Sequence, residues 1–157
     1  MPVAGNVVRA SDRNTQYLAV LRAAAVQSIP DNSATPLAFD TDDIDDDSGH
    51  SPSSSNTKYF AQRQGRFEIS ATGAHGASTA GTSRNLGLNV NGVAVTGASV
   101  SSGPRPGGTG TFTQNMSGQI VTLIVGDYIE IVMTQNTGGA LNTAANSTVT
   151  IRYWGDD

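Results

Sequence analysis

The two histidines, His50 and His75, are the first residues to consider for acid–base or metal chemistry in this sequence. They are far apart in the chain, and neither sits at a metal-ligand spacing such as two histidines four residues apart on a helix. The chain has no cysteine, which excludes a thiolate zinc site and a thiol nucleophile. We interpret both histidines as surface loop residues, and we predict no metal-ligating residue.

Serine and carboxylate chemistry lacks its usual context as well. The serines near His50, which include Ser48 and Ser51, lie in a polar stretch without the strained Gly-x-Ser-x-Gly turn of a nucleophile. Glu68 and Glu130 are the only glutamates, and each alternates with apolar neighbours on its strand. A glycosidase-type carboxylate pair would need them to converge across two sheets, so we interpret both as solvent-facing or interface residues.

The glycine-rich stretch from Gly103 to Gly110 lacks the lysine and following helix of a phosphate-binding loop. It is typical of turns. We therefore predict no catalytic residue, no cofactor-binding residue and no cofactor, and the chain is not expected to be an enzyme.

The acidic segment, residues 40 to 47, is the one concentrated charge feature. It contains Asp40, Asp42, Asp43, Asp45, Asp46 and Asp47. Calcium prefers six to eight oxygen ligands, which clustered aspartates supply, but the spacing does not fit an EF-hand loop. We interpret the segment as a solvated loop that folding does not require, and calcium binding stays open as the alternative.

Composition favours a single β-rich domain. The 157 residues fit one domain, and Gly, Ser, Thr and Asn are abundant whereas Lys and Glu together number three. The net charge is −4, but residues 31 to 50 hold seven aspartates and no Lys or Arg, which leaves nine basic and six acidic residues elsewhere. That surplus is too small and scattered for a nucleic-acid surface, so no nucleic-acid partner is expected.

No segment predicts a membrane span or an export signal. The longest apolar runs, such as Ile120 to Val125, are far shorter than a bilayer requires. The N-terminus lacks a basic region followed by a long apolar core. We expect a soluble protein without membrane insertion.

Short runs of alternating polarity predict an all-β fold. Phe67, Ile69 and Ala71 alternate with polar residues, as do Val149, Ile151 and Tyr153. Turn signals include Asn91-Gly92 and Gly126-Asp127, and polar loops are expected over 41–56, 76–82 and 101–109. The predicted strands are residues 23–28, 34–40, 57–61, 65–75, 83–90, 93–100, 110–123, 128–135 and 146–154.

The first residues allow two interpretations. Ser11 or Asp12 could cap a short helix with Tyr17, Leu18, Val20 and Leu21 at helical spacing. Alternation of Tyr17, Ala19 and Leu21 favours a strand instead. Either way, we predict an N-terminal attachment arm over residues 1–22 and a head domain over residues 23–157.

The order of landmarks over residues 23 to 154 resembles the trimeric jelly-roll superfamily that includes tumour necrosis factor and the globular heads of the collagen-tailed complement protein. The matching pieces are Gln27-Ser28-Ile29-Pro30 with Leu37-Ala38-Phe39-Asp40, Gly65-Arg66-Phe67-Glu68-Ile69-Ser70, Leu88-Asn89-Val90-Asn91-Gly92, Gly126-Asp127-Tyr128-Ile129-Glu130-Ile131 and Gly138-Gly139-Ala140-Leu141. The resemblance implies a two-sheet antiparallel jelly-roll sandwich that assembles as a homotrimer. Inward-facing Phe67, Tyr153 and Trp154 are then expected in the core or at the trimer seam.

The Gln-Ser-Ile-Pro and Gly-Gly-Ala-Leu pieces are most similar to domains of bacteriophage virion proteins and of some bacterial surface proteins. Residues 5–14 are similar to N-terminal segments of phage minor tail proteins. The resemblance implies a non-enzymatic structural protein on the virion surface, in a minor tail or receptor-binding role. Its expected partners are other copies, other virion proteins through the arm, and a host-surface receptor. A capsid decoration protein or head fibre trimer, and a bacterial surface-displayed ligand-binding domain, are the alternatives.

Overall fold

A computed structural model describes residues 17–103 and 110–155. This part of the chain is all β and contains no helix. The strands are β1 Leu18–Ala23, β2 Ser28–Ile29, β3 Thr35–Pro36, β4 Thr41–Asp45, β5 Tyr59–Phe60, β6 Gly65–His75, β7 Arg84–Val90, β8 Val93–Ser102, β9 Phe112–Leu123, β10 Tyr128–Gln135, β11 Leu141–Asn142 and β12 Ser147–Gly155.

The strands form a two-sheet antiparallel jelly-roll sandwich. The first sheet has the order β4-β1-β12-β6-β9, and the second has the order β3-β10-β7-β8 with β5 also pairing β10. A small third sheet joins β11 to β2. The predicted fold class is confirmed.

Alternation along the central strands builds the core between the two sheets. On β6 and β12 the alternate residues Phe67, Ile69, Val149 and Ile151 are at most 1% exposed. The second sheet contributes Leu86, Leu88, Ile129, Ile131 and Met133. Because successive side chains of a strand point to opposite faces, the intervening residues of each sheet form its outer face.

The N-terminal strand decides between the two interpretations of the first residues and crosses the predicted domain boundary. Residues 18–23 are a strand and not a helix, and β1 pairs with β12 on one side and with β4 on the other. Ala19 and Leu21 lie in the core. The predicted boundary between residues 22 and 23 therefore falls inside β1, and residues 18–22 belong to the first sheet. Residues 1–16 of the predicted arm lie outside the described residues.

The acidic segment is not a solvated loop. Part of it is the edge strand β4, inside the stretch predicted as a loop, and its carboxylates are engaged. Asp40 accepts from the backbone N–H groups of Ala24 and Ala25, at 2.8 and 2.9 Å. Asp45 accepts from the backbone N–H groups of Gly49 and His50, at 3.1 and 2.9 Å.

The remaining aspartates of the segment tie it to distant parts of the chain. Asp46 accepts from the Leu18 backbone N–H at 3.0 Å. Asp43 pairs with Arg22 and Asp47 pairs with Arg63, while Asp42 contacts the imidazole of His50. These contacts give the segment a structural role, whereas the prediction that folding does not require it stays a prediction.

Arg63 links the acidic segment to the aromatic residues at the edge of the core. Its Nε and Nη2 donate to the two carboxylate oxygens of Asp47, at 2.6 and 2.5 Å. Its guanidinium carbon lies 3.4 Å from the centre of the Tyr17 ring, a stacking cation–π geometry. Tyr17 packs edge-on against Tyr153 with ring centres 6.2 Å apart.

Two arginine–aspartate pairs in this region differ in exposure and provide a matched test. The Asp47 side chain is 6% exposed, whereas that of Asp43 is 40% exposed. Charge-assisted hydrogen bonds away from water contribute about 1.5–3 kcal/mol, while exposed ion pairs contribute little. We expect Asp47→Asn to lower the free energy of unfolding by about 2 kcal/mol and Asp43→Asn to change it far less, as measured by urea denaturation. Equal losses at the two positions would contradict the structural role of the Asp47–Arg63 pair.

Candidate interaction surfaces

His50 is enclosed by the acidic segment. Its side chain has no exposed surface, Nδ1 lies 2.6 Å from Asp42 Oδ1, and Nε2 lies 3.1 Å from the main-chain oxygen of Asn56. The Phe39 ring packs edge-on against the imidazole at 6.4 Å. The interpretation of His50 as a surface residue is wrong, since both ring nitrogens are engaged inside the fold.

His75 is also buried, at the end of β6. Its residue exposure is 0%, and Nε2 lies 3.2 Å from the Gln114 side-chain oxygen. Nδ1 has no hydrogen-bond partner among the described residues. Burial lowers the pKa of His75 to about 4, with a further lowering from the charge of Arg84 and an opposing effect from the Gln114 hydrogen bond. This histidine is therefore neutral and structural in the folded protein at pH 7.

Gln114 organises the polar cluster around His75. Its amide nitrogen donates to the main-chain oxygens of Arg84 and Val100, at 3.0 and 2.9 Å. Arg84 itself is 2% exposed and donates to the main-chain oxygens of Ser83 and Ala80. Burial lowers the pKa of Arg84. The cluster satisfies backbone groups where β6, β7, β8 and β9 come together.

The two glutamates lie on opposite sides of the sandwich. Glu68 is on the outer face of the first sheet, and Glu130 is on the outer face of the second, since the neighbours of each along its strand point into the core. They do not converge into an acid–base pair. Glu130 is 8% exposed, so it is not solvent-facing, and its interpretation as an interface residue stays a prediction. Among residues 17–103 and 110–155 no group of three or more histidines and acidic residues is arranged to hold a metal ion.

The outer face of the first sheet carries an exposed patch with mixed chemistry. Glu68 pairs across the strands with Arg152 on one side and Ile120 on the other. Glu68 Oε2 accepts from Trp154 Nε1 at 3.0 Å and from Arg152 Nη1 at 3.3 Å. Trp154 and Ile120 are 51% and 52% exposed. We call Glu68, Ile120, Arg152 and Trp154 the Trp154 patch.

Small hydroxyl side chains cover the same face beside the patch. Ser70 and Thr72 of β6 pair with Thr150 and Thr148 of β12, and Thr72 donates to the Asn115 side-chain oxygen at 2.9 Å. These residues are half-buried. A face of short side chains lets another surface approach closely, and the Trp154 patch provides large apolar groups to bury there.

The expected aromatic residues divide between the core and this face. Phe67 and Tyr153 are in the core, at 1% and 7% exposure, with ring centres 5.3 Å apart. Trp154 was expected to face inward and does not. It follows buried Tyr153 directly, so alternation turns it outward, and the register with β6 shifts between Tyr153 and Gly155. This alternation was the signal in the sequence that could have placed Trp154 outside.

Solved structures share this architecture. The fold matches the crystal structure of murine APRIL at pH 8.5 with a TM-score of 0.64 and 10% identity, over 88% of this chain and 99% of that chain. It matches Eiger TNF from S. frugiperda with a TM-score of 0.64 and 8% identity, over 90% of this chain and 94% of that chain. The chain has a TNF-like jelly-roll fold. At these identities the likeness establishes the fold alone.

The sequence itself gives no closer relationship. No protein-family model matches it, and no curated protein matches it. Within the described ranges, no helix is long and apolar enough to cross a membrane.

The burial of His75 predicts an acid-induced loss of stability. Its pKa is about 4 in the folded protein against 6.5 as the ordinary value, so the unfolded chain binds more protons between these pH values, and folding is destabilised as pH falls through that window. We expect the parent to lose about 2–3 kcal/mol between pH 7 and pH 4 relative to a His75→Gln variant, as each pKa unit corresponds to about 1.4 kcal/mol.

Chemical denaturation across this pH range measures the difference. The pKa values of Asp40, Asp43 and Asp127 are lowered from the ordinary value of 3.8. Their contributions to the free energy of unfolding are therefore lost mainly below pH 4, outside this window. Parallel pH profiles for the parent and the His75→Gln variant would contradict the prediction.

Proposed function

We propose that this chain is a non-enzymatic structural head that assembles as a homotrimer on the surface of a bacteriophage virion. The TNF-like jelly-roll fold supports a role in assembly. Both histidines are enclosed by structural contacts, and the two glutamates lie on opposite outer faces. The ionisable groups described here thus stabilise the fold instead of forming a reaction centre.

The exposure of the Trp154 patch is the observation that best supports a homotrimer. Two large apolar side chains, Trp154 and Ile120, are each about half exposed on the outer face of the first sheet, which also carries Val20 and Ile44 on β1 and β4. Aromatic residues are enriched at the buried centres of protein interfaces. Glu68 and Arg152 adjoin them, which supplies charged groups for the rim of such an interface. A second copy of the chain is the partner that we assign to this face.

The bacteriophage setting rests on sequence resemblance. The Gln-Ser-Ile-Pro and Gly-Gly-Ala-Leu pieces and residues 5–14 resemble segments of phage virion proteins. We place the head on the tail, as a minor tail or receptor-binding protein, attached by the N-terminal arm. A capsid decoration protein or head fibre trimer is the second candidate, and a bacterial surface-displayed ligand-binding domain is the third.

The oligomeric state tests the first part of the proposal. Light scattering during size exclusion should give about three chain masses for the parent protein at micromolar concentration. Ile120→Ser and Trp154→Ser should each shift the protein towards the monomer, because each removes apolar area from the seam. Val93→Ser is the matched control, since Val93 is 71% exposed at the start of β8 in the second sheet, away from the patch.

Thermal melts of the same variants show whether monomers stay folded. A Trp154→Ser variant that remains a folded trimer would show that the Trp154 patch is not part of the trimer interface. A parent that is monomeric both in solution and on the particle would overturn the trimer itself.

Placement on the virion requires a truncation at a different position from the predicted boundary. Deleting residues 2–16 leaves β1 complete, whereas deleting residues 2–22 removes most of the strand between β4 and β12. We expect the shorter truncation to fold and to be absent from assembled virions, and the longer one to unfold. Quantitative mass spectrometry of purified virions then gives the copy number, which is low for a tail protein and in the hundreds for capsid decoration. Full incorporation of the shorter truncation would overturn the arm's role.

A further inference from the structure

A groove lies on the outer face of the second sheet, around Gly87. Gly87 of β7 pairs with Val132 of β10 on one side and with Ser99 of β8 on the other. Asn85 and Asn89 flank it on the same face of the strand, since side chains two residues apart share a face. The missing side chain at Gly87 leaves a groove of about 300 Å³, which we call the Gly87 groove.

An irregularity of β8 shapes one wall of the groove. Gly87 pairs with Ser99, but Asn89 pairs with Ala94, so a longer segment of β8 lies opposite a short segment of β7. The extra residues bulge out at Gly97, whose φ of 80° is in the left-handed region. Within the bulge, Ala98 turns into the core and is 1% exposed. Such bulges redirect side chains and are frequent beside functional sites.

The residues that line the Gly87 groove are uncharged. Asn85 and Asn89 supply amides, and Ser99 and Thr134 supply hydroxyls. Apolar surface comes from Val132, Val95 and several smaller side chains, among them Ala34 and Ala94. Amides and hydroxyls both donate and accept hydrogen bonds. A phosphate or carboxylate would call for Arg or Lys, and a divalent cation would call for carboxylates, but the lining contains neither. This chemistry complements a ligand with many neutral hydroxyl groups and apolar C–H faces.

Asn85 has unused hydrogen-bonding capacity in the wall of the groove. Its side-chain oxygen is buried and has no partner among the described residues. An unsatisfied buried acceptor costs about 1–3 kcal/mol. A hydroxyl group that donates to this amide after a small side-chain rotation would offset that cost.

We infer that the Gly87 groove binds a neutral saccharide, supplied by uncharged glycans of a host-cell surface. The inference deepens the proposed receptor-binding role, and it rests on that role for the origin of the saccharide. The binding site is on the second sheet, so it stays available when the first sheet is covered by other copies.

Gly87→Val is the variant that tests the groove. A Cβ at Gly87 would lie 3.7 Å from the Ser99 Cβ and 3.8 Å from the Ala98 main-chain oxygen, which are ordinary contacts, and its φ is outside the left-handed region. A β-branched side chain suits a strand, so valine occupies part of the groove from a position where its Cβ makes only ordinary contacts. Gly139→Val is the control, because Gly139 is outside the groove lining and a Cβ there meets nothing within 4 Å.

Saturation-transfer NMR on the full chain measures binding of a defined panel. The panel is the methyl glycosides of glucose, galactose, mannose, rhamnose and N-acetylglucosamine, each at millimolar concentration. We expect transfer to at least one neutral sugar, a loss of affinity of about tenfold or more, or 1.4 kcal/mol, in Gly87→Val, and no change in Gly139→Val. Asn85→Ala should also lose binding without a lower melting temperature, since it removes a buried oxygen that has no partner and whose burial is unfavourable.

Three results would overturn the inference, two of them with the neutral panel and the third with a charged sugar. One is the absence of transfer to every neutral sugar of the panel, and the other is parental affinity in Gly87→Val. Preferential binding of a charged sugar, the methyl glycoside of N-acetylneuraminic acid, would also contradict the uncharged site. Light scattering and virion incorporation of the same variants test the proposed function separately. A trimer that joins virions but binds no sugar would contradict the saccharide inference and leave the proposed function intact.

Discussion

The first sheet depends on one constraint, which is that β1 is held between β12 and β4. β12 holds one edge of β1 through the backbone ladder, and β4 holds the other. The acidic segment adds a set of charge-assisted contacts along the strand, from Asp46 at the Leu18 N–H to Asp43 at the Arg22 guanidinium, and Asp40 accepts from the backbone just after it. Six aspartates so close together repel one another unless each has a partner. The same contacts that relieve this repulsion fix the N-terminal strand in the domain.

Sequence patterns predicted the parts of the fold that local alternation determines. The limits predicted for β6 and β10 agree with the structure. β6 alternates apolar and polar residues over its first half, and β10 is a largely apolar run that follows the Gly126-Asp127 turn signal. The Asn91-Gly92 turn has positive φ at both residues, 51° and 78°, as a two-residue hairpin of this kind requires. The composition, poor in Lys and Glu, pointed to the fold class.

Features set by residues distant in sequence were not predictable in this way. Residues 17–21 fit helical and strand spacing equally, and only pairing with β12 and β4 decides between them. Asp47 and Arg63 are ordinary polar residues in the sequence, and their partnership exists because the chain between them folds back. His75 resembled a loop histidine, but it closes β6 beside the polar cluster of Gln114 and Arg84. In each case tertiary contacts override a local pattern.

The two outer faces of the sandwich differ in chemistry, and this difference indicates which face suits association with other copies and which suits ligand binding. The first sheet presents Trp154 and Ile120 among short hydroxyl side chains, a surface on which burial of apolar area drives association. The second presents the Gly87 groove, where amides and hydroxyls lie beside small apolar side chains such as Ala34, Ala94 and Val95. A face of the second kind gains little from covering by a flat protein surface, because its polar groups lose water without assured partners. It suits a small ligand that enters the groove and satisfies those groups one by one. Assembly through the first sheet and recognition through the second are therefore compatible in one molecule, because neither requires the surface of the other.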